Sequence, residues 1–254
     1  EDIAGIKVFM GSSTGNMLVN DSESLKELFS IREKPILVHC EDEDTIRKNL
    51  EAAKARYGDE IPFSEHRNIR SRMACIRSTI KALELAIEHQ TRLVLCHIST
   101  MEEIEMARAA KISNPDIITE TSCNYLWFSD EAYTRLGSRV KCNPAVKAFS
   151  DKQSLRNALR DGKIDIIGSD HAPHLLSEKD EKSDAELRPC YDKGVDDLAL
   201  DLMPFIESRY SVKKGRLYTA VTGVSQGATN SLAAGFKWQS KIGYIGSYAP
   251  CPGV

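Results

Sequence analysis

Apolar and polar positions along this chain follow two different rhythms. Short continuous apolar runs end at IKVFMG (6–11), PILVHC (35–40), RLVLCHIS (92–99), DIITETS (116–122) and KIDIIGSD (163–170). Continuous runs of this length predict strands buried on both faces rather than strands with one wet face. Between them lie stretches with helical spacing: Ser22–Ile31, Asp44–Tyr57, Arg70–His89, Met101–Lys111 and Asp151–Asp161. In the third, Met73, Ile76, Ile80, Leu83 and Ile87 recur at steps of three and four, which predicts one apolar helix face. Strands separated by amphipathic helices predict a parallel sheet with helical crossovers, and so an α/β fold.

Polar residues then fall at particular places in that pattern. His39, His97 and Asp170 stand at or near the C-terminal ends of three strand runs, and Lys7 lies within the first. In a parallel α/β barrel that end is the functional face, because the loops leaving it surround one mouth. One histidine in an apolar strand is more often a satisfied core residue than a ligand. A lysine in such a strand is harder to dismiss, since a buried ammonium without a partner is costly. Four such residues on four strands, aimed at one place, predict a metal site; two imidazoles and a carboxylate make a workable zinc shell.

Composition narrows the picture. The chain has 254 residues, 41% hydrophobic and 28% charged, with a net charge of −3. That balance argues against nucleic acid or an anionic membrane as partner, each of which calls for a clustered basic face. No apolar run approaches the roughly 20 residues of a membrane span. The seven cysteines are scattered, with no C-x-x-C pair. They read as reduced, mostly buried thiols, and the expected location is cytoplasmic.

Five segments in order, GIKVFMGSSTGNM, ILVHCED, LVLCHIS, KCNPAVK and SDHAPH, resemble the cyclic amidohydrolases, and within them the dihydroorotase group. The resemblance runs from about Gly5 to about Leu176. It implies a (β/α)8 TIM-type barrel, of which roughly the last five βα units are present. A partial barrel domain over 1–210 would be followed by a segment, 211–254, leading towards a small β-domain. By the resemblance, Lys7 takes up carbon dioxide as a carbamate bridging two zinc ions. His39 and His97 hold the second zinc, while Asp170 holds the first and moves the proton. Asn143 and His174 contact the substrate, and His171 is structural rather than a ligand. The implied reaction is reversible hydrolysis of dihydroorotate to N-carbamoyl-aspartate in pyrimidine biosynthesis. A homodimer or a transcarbamoylase partner is expected. Hydantoinases and allantoinases share the metal strands but usually lack a histidine at the position of His174. A hydantoinase-type enzyme and a non-catalytic scaffold subunit are the alternatives.

Departures from the family pattern matter too. No H-x-H pair, which the family carries on its first strand with an arginine after it, occurs among the six histidines. The chain therefore reads as starting at the fourth strand of a longer protein. CYDKGVDDLALDLMPF (190–205) replaces an apolar Gly-rich segment, and KIGYIGSYAP (241–250) is a worn version of the lead into the β-domain. GSSTGNM (11–17) reads as a tight turn and SEKDEKSDAE (177–186) as a solvated loop. Glu120 is expected either to position the site or to pair locally. His66 and His89 are expected at the surface.

Overall fold

The computed structural model describes the chain apart from residues 1, 2, 4, 12–17, 171–202, 210, 212, 225–235 and 249–254. Residues 12–17 of the turn expected at 11–17, the charged loop and His171 and His174 lie outside the described residues. By contacts the chain divides into two units, Glu1–Ile167 with Asp180–Pro189, and Gly168–Lys179 with Cys190–Val254.

Five strands form one sheet in the order of the sequence: β1 (Ile6–Phe9), β2 (Ile36–His39), β3 (Leu93–Leu95), β4 (Ile117–Ser122) and β5 (Ile166–Gly168). β1 to β4 pair in parallel, with Phe9 opposite His39 and Leu95 opposite Thr119. Parallel neighbours need crossovers. These are α1 (Ser22–Phe29), then α2 (Glu43–Tyr57), α3 (His66–Ile69) and α4 (Arg72–His89), then α5 (Met101–Ala110), and finally α6 (Cys123–Trp127), α7 (Ala132–Leu136) and α8 (Phe149–Arg160). Helices α1, α2 and α5 begin where side chains satisfy free amides. Asp21 accepts from Ser24 N at 2.8 Å, Asp42 from Thr45 N at 2.9 Å, and Thr100 forms a reciprocal box with Glu103. α2 stops at Gly58 and α4 at Gln90, both with positive φ.

Two features differ from the expectation. β3 is buried on both faces as expected, but β1, β2 and β4 are not evenly so: Val8, Ile36, Val38 and Ile117 are buried, whereas Lys7, Phe9 and Leu37 are half-buried and Ile118 is 36% exposed. Side chains alternate across a strand, so these two sets mark its two faces. Helix α4 buries only part of the stripe expected. Ala74, Cys75, Ser78, Thr79, Ala82, Leu83, Leu85 and Ala86 are buried, so Leu83 of the expected stripe faces inward, while Met73 and Ile80 remain 47% and 41% exposed. Small side chains at most of the buried positions let a helix axis come close to its neighbours.

A buried acid fastens the crossovers together. Asp151, at the start of α8, accepts from Met101 N and Ala148 N, each at 3.1 Å, and from Arg72 Nη1 at 2.9 Å. The described cysteines, Cys40, Cys75, Cys96, Cys123 and Cys142, are free thiols. Burial pushes the Cys75 thiol up to about 12 and raises Cys40 as well, which makes them packing groups rather than nucleophiles. Among the described residues no helix is long and apolar enough to cross a membrane. In the second unit, α9 (Met203–Arg209) precedes β6 (Ala220–Val224), which pairs in parallel with β7 (Tyr244–Tyr248).

Gly11, just past β1, lies against the backbone at the end of β2. A Cβ there would stand 2.1 Å from the Glu41 carbonyl oxygen, and Met10 N already donates to His39 O at 3.0 Å. Gly11→Ala should therefore cost about 1–3 kcal/mol through overpacking. A urea midpoint equal to that of the parent would show that this approach is not tight.

Candidate functional site

The last residue of β2 and a residue two positions beyond β3 meet in space. His39 Nδ1 lies 3.1 Å from His97 Nε2, with ring centroids 4.8 Å apart and planes at 69°. Both side chains are buried. His97 reaches this position with φ at +43°, a left-handed backbone that a non-glycine residue adopts at a cost of order 1 kcal/mol. Its turn is held by Glu120, whose backbone O accepts from Ile98 N at 2.7 Å and whose Oε1 lies 3.4 Å from His97 N. The expected positioning role of Glu120 has this contact behind it.

The spacing can be tested against a metal ion. Zn–N bonds are about 2.0–2.1 Å, so an ion bound to both nitrogens would subtend about 98°, close to a tetrahedral angle. The two imidazoles fit as half of a zinc shell. Among the described residues no group of three His, Cys, Asp or Glu side chains converges on one point. Lys7 sits in β1, opposite Leu37 in register, with its Nζ 5.6 Å from the Phe9 ring. The Phe9 ring in turn lies 6.2 Å from that of His39. Asp170, two residues beyond β5, has φ at +47° and belongs to the second contact unit.

The surroundings of His97 favour a neutral imidazole there. Burial, then His39, Lys7 and Arg70, hold His97 well below the usual imidazole pKa. Neutral imidazole is the form that binds a metal. On its other side, His39 Nε2 lies 3.0 Å from Glu41 Oε2, and Arg70 Nη1 contacts the same oxygen. Burial alone would raise the Glu41 carboxyl; the Arg70 guanidinium and the His39 ring outweigh it and lower it to about 2. Glu41 and Arg70 are 0% and 2% exposed.

Asn143 occupies a second structured segment. Its peptide bond to Pro144 is cis, its side chain is buried, and its Oδ1 lies 3.1 Å from His66 Nε2. The same His66 nitrogen is 3.0 Å from the Cys142 carbonyl oxygen. Tyr125 donates to Pro144 O at 2.6 Å and Tyr133 accepts from Val146 N at 3.1 Å, so two phenols pin the backbone on either side. The surface position expected for His66 is wrong. α3 turns it under residues 142–143, where it is fully buried, with its ring 6.3 Å from that of Tyr133. His89 is also only partly exposed, at the end of α4.

Three polar residues of the site, Glu41, Arg70 and His66, thus carry no functional reading from the sequence. Glu41 had a usable signal: an acid two places after a strand-end histidine sits where it can reach that ring. Arg70 and His66 had none, since nothing local marks either as buried.

No protein-family model matches the chain. A dihydroorotase of Methanosarcina acetivorans is 34% identical over 183 residues, 68% of this chain and 38% of that protein. The match thus spans less than two fifths of that relative's length. Among solved structures, an L-hydantoinase from Arthrobacter aurescens superposes with a TM-score of 0.72 at 24% identity, covering 82% of this chain and 47% of that one. A Campylobacter jejuni dihydroorotase gives 0.53 at 16% identity, covering 82% and 54%. These structural likenesses show the fold: the sheet and its crossovers match part of an α/β barrel.

Proposed function

We propose that this chain, which belongs to the dihydroorotase–hydantoinase family of amidohydrolases, carries one metal position and the substrate-facing segment of a zinc-dependent cyclic-amide hydrolase acting on dihydroorotate. The observation that carries the reading is the meeting of His39 Nδ1 and His97 Nε2 at 3.1 Å. Identity with the Methanosarcina acetivorans dihydroorotase favours dihydroorotate over other cyclic amides. The higher TM-score of the hydantoinase keeps a hydantoin as the second substrate to test.

In this reading His39, His97, carbamylated Lys7 and Asp170 are the residues that would hold the zinc. Bound there, the metal pair supplies Lewis-acid activation of water. The chain's own groups do the rest. Asp170 takes the proton from the attacking water and passes it to the leaving amide nitrogen. Asn143 and His174 offer donors and acceptors at fixed angles to the ring and its carboxylate. The Asn143 side chain is already ordered by His66. The reaction belongs to pyrimidine biosynthesis in the cytoplasm.

A 254-residue polypeptide of this sequence, which contains no H-x-H pair, is expected to bind at most one zinc and to hydrolyse dihydroorotate negligibly. A longer polypeptide that joins this sequence to an H-x-H segment should bind two and turn over. Metal analysis with dihydroorotate, hydantoin and allantoin assays on both proteins tests this. Robust turnover by the short polypeptide would overturn the assignment of ligands. Absence of zinc from both would leave a non-catalytic scaffold.

A further inference from the structure

The pair Glu41 and Arg70 has no part in the reaction as described, yet it lies directly behind one imidazole of the site. We propose that Glu41, held by Arg70, is the positioning residue that fixes which nitrogen of His39 faces the metal position. The inference rests on the metal-binding reading above and adds to it the means by which His39 is kept ready.

The geometry runs in one line. Arg70 Nη1 and His39 Nε2 both meet Glu41 Oε2, the latter at 3.0 Å. A guanidinium can only donate, so the carboxylate oxygen between the two is an acceptor, and His39 Nε2 must carry the proton. A neutral imidazole has a single N–H. His39 Nδ1 is therefore left with a bare lone pair, and that is the nitrogen facing His97 Nε2 at 3.1 Å. Without Glu41 the balance reverses. A buried Nε2–H would have no acceptor, whereas a proton on Nδ1 could be donated to His97. That tautomer blocks the nitrogen a metal needs.

Two further observations separate this from ordinary packing. Glu41 Oε1 is buried and has no hydrogen-bond partner among the described residues. A carboxylate retained for stability alone would satisfy both oxygens. The Glu41 backbone is also set from behind, where Gly11 approaches so closely that an added Cβ would fall 2.1 Å from the Glu41 carbonyl oxygen. Outer partners of metal-binding histidines typically change metal affinity by about ten- to a hundredfold when removed.

The test has two arms on the full gene product. In the first, metal-free protein with nitrogen-15-labelled histidine is examined by long-range proton–nitrogen correlation NMR. His39 should carry its proton on Nε2; a proton on Nδ1 in the unsubstituted protein overturns the proposal without any variant. In the second, zinc affinity is measured by chelator competition for Glu41→Gln and for the charge-neutral double variant Glu41→Leu with Arg70→Met. The double variant leaves no buried charge behind and keeps folding in reach, which circular dichroism verifies. It should bind zinc about ten- to a hundredfold more weakly, with the His39 proton moved to Nδ1, whereas Arg70→Lys alone, which keeps Glu41 and a cation beside it, should retain most of the affinity. Unchanged tautomer and affinity in a folded double variant would overturn the proposal. Failure of the unsubstituted protein to bind zinc would instead strike the metal reading, and the NMR arm would still report what Glu41 does.

Discussion

His97→Asn should weaken zinc binding by about a hundredfold to a thousandfold. Structural zinc sites in peptides are worth about 10–16 kcal/mol over four ligands, so one ligand accounts for roughly 3–4 kcal/mol. With each 1.4 kcal/mol worth a factor of about ten, the expected loss follows. Asparagine is the appropriate replacement because it tolerates a left-handed backbone, and His97 has φ at +43°. The substitution thus removes the imidazole without straining the turn held by Glu120. His39→Asn should give a loss of similar size, since the two nitrogens face one point from 3.1 Å apart. Chelator competition gives the dissociation constants directly. Affinity within a factor of about three of the parent in either folded variant would place the metal elsewhere.

Acid should destabilise the metal-free protein in two separate steps. The native His97 pKa lies well below the ordinary 6.5. Unfolded chains therefore take up a proton that the native state refuses. This contribution is complete above pH 6.5 and is lost as pH falls below it, at about 1.4 kcal/mol per unit until the native imidazole itself protonates. Glu41 gives a second, lower step. Its carboxyl is lowered from 4.5 to about 2, so its stabilisation is complete above pH 4.5 and lost as pH falls towards 2, roughly 3 kcal/mol in all. Urea unfolding followed across both windows would show the two slopes. Glu41→Gln should remove the lower slope and retain the upper; a lower slope that survives the substitution would assign it to other carboxylates.

Much of this architecture was legible before any coordinates. The five apolar runs became five strands in sequence order, because continuous β-favouring stretches between amphipathic helices have few other ways to bury themselves. The meeting of His39 and His97 followed from strand-end positions alone, since parallel neighbours bring their ends to one side. Legibility stopped where burial depends on distant chain. Arg70 looks like any charged residue beside a helix, and only the fold places it against Glu41. His66 stands in a polar stretch whose burial is created by residues 76 and 77 positions later. On α4 the periodicity was real but placed the buried face off-centre: Leu83 is buried as expected, whereas Met73 and Ile80 are exposed and Ala74, Ser78 and Ala82 take the close-packed positions.

The imidazole pair has a consequence for how quickly and selectively a cation can be captured. His39 is held from behind by Glu41, and His97 by the turn that Glu120 supports, so both rings stand in place before anything arrives. A site assembled only on capture would lose the rotamer freedom of each ring, of order 1 kcal/mol apiece, from its affinity. Here that ordering is complete in the folded chain. The rigidity also selects by size. Nitrogens 3.1 Å apart suit an ion with short bonds to nitrogen, and a calcium ion, with its oxygen preference and bonds of 2.3–2.6 Å, would find the bite too narrow.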